Sequence, residues 1–416
     1  MNLLSDHTRY QDLLKKSFTG DTSLWKMPTR KDEDWRYVSL KSVNDQTFSL
    51  NLLNSVTISQ EIKGKIDLAK LPGYTNVIFI NGIFSSDCSD KLPKEIQLLE
   101  NRNQSSAIQK QFEVHKTYQN VFLDLADLYE KEGLNVVVTS GTKQNLNIIY
   151  YNGNFSGPAF SAYTKNFISV ESKGKLNCNI QYITDDQSRY LLAPAFYFHC
   201  QDSSCLNLYT LQSLSQQSFI FDTYRILLDH KSDITSVSVA QGGKISRSQI
   251  DYIVNDEFTN VRSYGAYQSG DGQNIDFHTW IDHKKGLGVS DQIFKGVIGK
   301  GGQGVFNGKV KIQKYSQKVN SAQLNKNLLL DSSAEMNSKP ELDILADDVK
   351  ATHGSTVGQL NADEIFYLVS RGIPRQKALE MLSSGFLNEV VEKIDEKEIK
   401  DIFFKRIQEG FKTLSK

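Results

Sequence analysis

Of the 416 residues only 7 are proline and 4 are cysteine. So few prolines, with only 27 glycines, exclude a proline-rich linker chain and a collagen-like one. Four scattered cysteines do not make a disulfide framework; they point to a reducing compartment, and a cytoplasmic protein is expected. Neither charge sign is in excess, because 48 Lys and Arg balance 48 Asp and Glu. That balance argues against a broad electrostatic nucleic-acid footprint. No apolar run of about 18 residues occurs, so no bilayer-spanning helix is expected. The start, MNLLSDHTRYQDLLKKSF, lacks the basic-then-apolar order of a secretory leader. What the chain does have is 39% hydrophobic and 10% aromatic residues. That is enough for a core, and the length suggests two or three domains.

Three zones differ in texture. Near the start, Tyr10, Leu13, Leu14 and Phe18 recur at helical spacing and predict one amphipathic helix. Trp25 and Trp35 then flank a charge run, which reads as a small core beside a solvated loop. From about 134 to 330 the period changes to two. Segments such as LNVVVTS, LNIIYYNG, FIFDTYRILL and ITSVSVA are strand signals bounded by turn residues. The turns recur at Ser172–Gly174, Asp202–Ser204, His230–Asp233, Asp256–Thr259 and His283–Gly286. A period of roughly 26 to 29 residues suggests stacked repeats. No helical pattern separates the strands, which disfavours a doubly wound sheet. A solenoid of β-coils fits, because each coil buries its inner face against its neighbours; a β-sandwich shows similar alternation.

From Asn361 onward the pattern is helical. Asn361 is placed to cap a helix, with Glu364 three residues on, and Ile365, Leu368 and Val369 form a stripe. Gly372 suits a left-handed stop and Pro374 the first turn of the next helix. A third pattern runs through Phe386, Val390 and Ile394, and a fourth through Ile399, Ile402, Phe403, Ile407 and Phe411.

Candidate chemistry is sparse. The loop Gly299–Gly304 resembles a phosphate loop, but no Ser or Thr follows Lys300 and a strand continues where a helix is needed. A glycine turn is the better reading. His199, Cys200 and Cys205 lie close together without the paired spacing of a zinc site, and Cys200 and Cys178 read as small buried hydrophobes. Asp276, Asp282 and Asp291 suit a carbohydrate-active groove only if the fold brings two carboxylates to a set distance. His353, beside Gly354, sits between the β zone and the helical zone. It reads as a hydrogen-bonding residue or as an iron or zinc ligand.

The block from Gln323 to Phe386, which includes LDILADDVKATHGSTVGQLNADEIFYLVSRGIPRQKALEMLSSGF, resembles the signature of the SufB/SufD family of the Suf iron–sulfur cluster system, in its SufD form. Weaker likeness lies at Asp32–Leu40, Val77–Ser85 and Ile275–Val310. The SufB form usually has an acidic residue where Gly354 stands, and a cysteine in the segment before Leu342. SufD-like chains often have a cysteine where this chain has Ala351.

The resemblance implies a mainly β fold: a right-handed parallel β-helix core over 111–350, an N-terminal helical or mixed region over 1–110 and a C-terminal helical domain over 351–416. It implies a non-catalytic scaffold subunit that pairs with SufB through the β-helix and docks the ABC-type ATPase SufC through its last helices. SufD-like proteins are implicated in iron supply, and ATP hydrolysis is expected in SufC. No tightly bound cofactor is expected, only transient iron or a cluster at the SufB–SufD interface. The resemblance makes His353 a candidate iron or cluster ligand there. It places the ATPase-binding surface at Phe366, Tyr367, Arg371, Gly372, Ile373 and Pro374. It also implies a possible homodimer when the chain is alone, and no nucleic-acid or membrane partner. A SufB-like cluster scaffold and a β-helix carbohydrate-active enzyme are the alternatives.

Overall fold

The computed structural model describes residues 27–50, 58–98, 120–128, 133–153, 159–184 and 188–414. The helix expected around Tyr10–Phe18, and Trp25, lie outside the described residues. Four short strands come first: β1 (Ser49–Leu50), β2 (Thr75–Ile80), β3 (Ile83–Phe84) and β4 (Ile96–Leu98). The rest alternate between two facing sheets. The odd sheet holds β5 (Asn135–Val138), β7 (Phe160–Val170), β9 (Tyr190–Cys200), β11 (Phe219–Leu228), β13 (Ile245–Val254), β15 (Asn274–His283), β17 (Gln303–Ile312) and β19 (Glu335–Ile344). The even sheet holds β6 (Lys143–Asn152), β8 (Lys175–Thr184), β10 (Cys205–Leu214), β12 (Asp233–Gly242), β14 (Asn260–Ser269), β16 (Val289–Ile298), β18 (Asn320–Leu329) and β20 (Lys350–Gly358).

Every pairing between successive coils is parallel, as in Lys175 with Cys205, Cys205 with Asp233 and Asp233 with Asn260. The fold is therefore a parallel β-solenoid, as the repeat suggested. The expected turns are its corners. Lys173, Ser203, Lys231 and Phe258 take positive φ of 55–62°, each inside one of the recurring turn segments. The fifth corner residue, Leu287 at φ 58°, falls one position past its segment.

Stacking in register makes ladders of like side chains. The rings of Phe79, Tyr150 and Tyr182 stack at 4.8 and 5.2 Å. Asn177 donates to Asn145, and Asn207 to Asn177, each at 3.0 Å. Strands β11 and β13 are buried at every position, because their outer faces are covered as well as their inner ones. Trp35, Val43, Phe48, Phe122 and Leu125 cover the odd sheet.

A 3-10 turn at Glu33–Trp35 and six α-helices complete the described chain: α1 (Lys41–Asn44), α2 (Gln60–Ala69), α3 (Val121–Leu128), α4 (Ala362–Ser370), α5 (Arg375–Val391) and α6 (Lys397–Leu414). None is long and apolar enough to cross a membrane. Asn361 caps α4, its Oδ1 accepting from Asp363 N at 2.9 Å. Gly372, at φ 85°, ends α4: Gly372 N donates to Val369 O and Ile373 N to Leu368 O, the paired bonds of a Schellman stop. Pro374 is the N-cap of α5 and not its first turn. The second and third helical patterns are one helix, α5, because no breaker but a tolerated Gly385 lies between them; Ile394 falls beyond its end.

Two boundaries differ from the expected ones. Solenoid pairing already includes β2, and it continues through β20 to Gly358, so the helices begin at Ala362 and not at 351. These helices do not form a separate lobe. Leu387, Val390, Ile399, Phe403, Ile407 and Phe411 pack on Leu211, Val237, Val239, Ala266 and Val297 of the even sheet. Polar contacts pin them there: Tyr209 Oη donates to Glu396, and Lys295 Nζ to Glu389.

Candidate functional site

The two ends of the solenoid are unlike. At the first end β3 and β4 pair antiparallel with β2 and β5, and Phe84 packs its ring on Phe79. At the other end β19 and β20 are the last strands, each paired along one side only among the described residues. Two adjacent parallel edges of this length are templates for another chain. Pro340 in β19 is compatible with such an edge.

His353 is on β20, so it belongs to the solenoid and not to a junction loop. The Gly354 beside it continues the strand; a Cβ there would meet only Leu324 Cδ1, at 3.3 Å. Register places His353 over Gln323, which lies over Gln292 and Ser263. That row is the inner one, since its neighbours Leu324, Ile293 and Tyr264 continue the outer row on which the helices pack. The imidazole is thus an inner-row group that no further coil covers among the described residues, and it is exposed. Ala351 shares its row and packs on the core.

The solenoid interior changes character toward this mouth. Around β9 and β11 it is filled by Phe196, Phe198, Ile220 and Ile226. Near the mouth a polar cluster lies beside Phe294, Phe306 and Val310. Tyr267 Oη donates to Asn327 Oδ1, Asn327 Nδ2 to Asn325 Oδ1, and Ser338 Oγ to Asn325 Oδ1, each at 2.6 Å. Ser355 Oγ donates to Ser338 Oγ at 2.7 Å, bridging β20 and β19. Sequence reasoning missed these residues and Gln323. Counting back one coil from His353 is the signal that could have found Gln323.

The mouth supplies no thiolate of its own. Cys178 and Cys200 are buried in early coils, where burial pushes their thiols up. Half-buried Cys205 is shifted the same way, and Cys88 is buried near the first end. His199 does not join Cys200 and Cys205 at a metal site; it bonds Asp229 at 2.7 Å while Cys200 faces the core. No three metal-ligating side chains cluster among the described residues.

The other candidates resolve into structural roles. Asp276 is buried against Arg247 and His278, and their charge and hydrogen bonds hold its carboxyl low despite burial. Asp282 accepts from Gln313 and Asp291 from Tyr264. Asp276 and Asp282 stand on the odd sheet and Asp291 on the even one, so no shared groove forms. Gly299–Gly304 is a corner turn: Gly301 N already donates to Ser333 Oγ and Gly302 N to Gly299 O.

The helical surface is a second feature. Helix α4 buries Ile365 but leaves Phe366 73% and Tyr367 55% exposed, with Val369 and Met381 also exposed. Arg371 holds its guanidinium 4.3 Å from the Tyr367 ring. Gly372 and Pro374 are exposed and Ile373 is half-buried. The named residues thus share one short stretch around the Schellman stop, rimmed by an apolar patch of the kind that marks an interaction surface.

Residues 153–386 match the family described as SUF system FeS cluster assembly, SufBD core domain. The chain is 26% identical over 390 residues to the iron–sulfur cluster assembly protein SufD of Escherichia coli, covering 92% of this chain and 88% of that one. It is 27% identical over 406 residues to Protein ABCI7, chloroplastic, of Arabidopsis thaliana, covering 90% and 80%. A SufBD family protein of Synechocystis is 27% identical over 394 residues, covering 89% and 84%. With a solenoid that ends in an open mouth and a match over more than half its length, the chain belongs to the SufBD family of iron–sulfur cluster assembly proteins, and is of the SufD type.

Proposed function

We propose that this chain is a non-catalytic scaffold subunit that pairs with SufB edge to edge at β19 and β20 and docks SufC through α4 and the start of α5. The observation that carries this reading is the end of the solenoid at β19 and β20, where among the described residues no further strand pairs beyond the coil that holds His353. A SufB-type edge laid there would bury the inner row of the last coil, His353 included. Iron or a nascent cluster is then cargo, not a resident cofactor. This chain offers it one imidazole nitrogen, and the thiolates come from the partner. Replacing a thiolate by imidazole raises a cluster's potential, as it does in Rieske centres, and a mixed ligand set suits cargo that must be passed on. Ala351 in the same row removes a thiolate that would have made a two-ligand site on this chain alone. A cytoplasmic location accords with four unpaired cysteines.

The test is His353→Ala in the three-protein complex. The expected result is normal assembly, because the side chain is exposed in the single chain, with iron and sulfide loading lowered about tenfold. Normal loading would refute the ligand role, and failed assembly would make His353 an interface residue only.

A further inference from the structure

The side chain beneath His353 is held in an incomplete arrangement. Gln323 is 3% exposed. Its Nε2 donates to Gln292 Oε1 at 2.6 Å. The amide fills the space beside Gly308, where a Cβ would stand 2.3 Å from Nε2. The Gly308 backbone beside it and the bond below leave the amide little room to move sideways, and Gln292 Nε2 below is likewise without a partner. Gln323 Oε1 is buried without a hydrogen-bond partner. An orphaned buried acceptor costs about 1–3 kcal/mol. The residue stacked on Gln323 in the next coil is His353, one strand spacing of about 4.8 Å away. Its ring is exposed and carries an N–H.

We infer that Gln323 is the positioning residue for His353: when a partner covers the mouth, one ring N–H of His353 donates to Gln323 Oε1. The donors then run in one direction, from His353 to Gln323 to Gln292, an order in which each bond polarises the next. The second ring nitrogen is left as an unprotonated acceptor directed away from Gln323. Metal-ligating histidines are commonly fixed in tautomer and orientation by such a bond on the other nitrogen. The inference rests on the proposed ligand role of His353, and adds the group that sets its tautomer.

The test is solid-state ¹⁵N spectroscopy of the reconstituted complex at alkaline pH, with only this chain labelled at histidine and His353→Ala assigning the signal. The expected result is a single neutral tautomer for His353 in the unsubstituted chain. Gln323→Met should give both tautomers and lower ferrous-iron loading about tenfold. Gln323→Glu, which keeps an acceptor, should restore the single tautomer. A mixture in the unsubstituted complex, a measurement that needs no variant to fold, would overturn the inference. So would a spectrum that Gln323→Met leaves unchanged. Normal ferrous-iron loading by His353→Ala would remove the ligand reading, and the positioning role with it, while leaving the tautomer signal intact; the two failures are thus told apart.

Discussion

Phe366 and Ile365 are neighbours on α4 with opposite surroundings, and that contrast makes a quantitative test of ATPase docking. Phe366 is 73% exposed and Ile365 7%. A Phe side chain presents ~200 Å², so about 150 Å² remains for a partner to cover. At ~25 cal/mol per Å² full coverage is worth about 3.8 kcal/mol, and half coverage about 1.9. Phe366→Ala should therefore weaken SufC binding by between about 20-fold and several hundred-fold. It should leave the melting temperature of the isolated chain within about 1 °C, because surface truncations usually change stability by under ~0.5 kcal/mol. Ile365→Ala should do the reverse first: it removes buried volume and destabilises by about 2–5 kcal/mol. Titration calorimetry against purified SufC, with thermal unfolding of each variant alone, measures both. SufC binding unchanged in Phe366→Ala would refute the docking assignment. A large fall in melting temperature for that variant would show that the side chain is structural.

Further outcomes follow from the same geometry. Val357 is an inner-row residue of β20 and 46% exposed; Val357→Lys should leave the fold intact but block pairing at the mouth, read as loss of SufB association and of any homodimer in sedimentation velocity. Removal of everything after Gly358 would uncover Leu211, Val237, Val239, Ala266 and Val297; at about 1.5–3 kcal/mol for each large side chain, the shortened solenoid should be insoluble, and a soluble, folded product would contradict the packing described here. Two buried groups act oppositely on acid stability. Burial raises Asp222 from its ordinary 3.8 to about 6, so its contribution falls as pH rises through that window. Burial lowers His283 from 6.5 to about 4, so its contribution is lost as pH falls through that window. Asp222→Asn should therefore steepen the loss of stability from pH 6 to 4, and His283→Gln should flatten or reverse it, in denaturant titrations at each pH.

Much of this architecture could be read from local signals. Period-two alternation marks strands because side chains alternate faces, and the recurring turn segments mark corners because the chain must reverse its course in each coil. Gly372 announced the end of α4 because a left-handed stop favours glycine. The SufD-type signature from Gln323 to Phe386 named the family for the same reason: it is a contiguous string. What remained hidden depends on contacts between distant positions. Arg247 and Asp276 meet because register stacks one coil on the next. The last helices belong to the core because their apolar stripes find the outer face of the even sheet, and a stripe does not encode its partner. His353 read as a residue between two zones because Gly354 beside it is a weak strand former; pairing with β18 imposes the extended conformation. In the sequence, alternation and the turn repeat favoured a solenoid while leaving a sandwich open, and the contiguous signature carried the SufD-type resemblance that implied the β-helix. Only the tertiary structure decided which row of each strand faces inward, that β19 and β20 are the last strands among the described residues, and that Gln323 lies under His353, because those facts are set by register between coils about thirty residues apart.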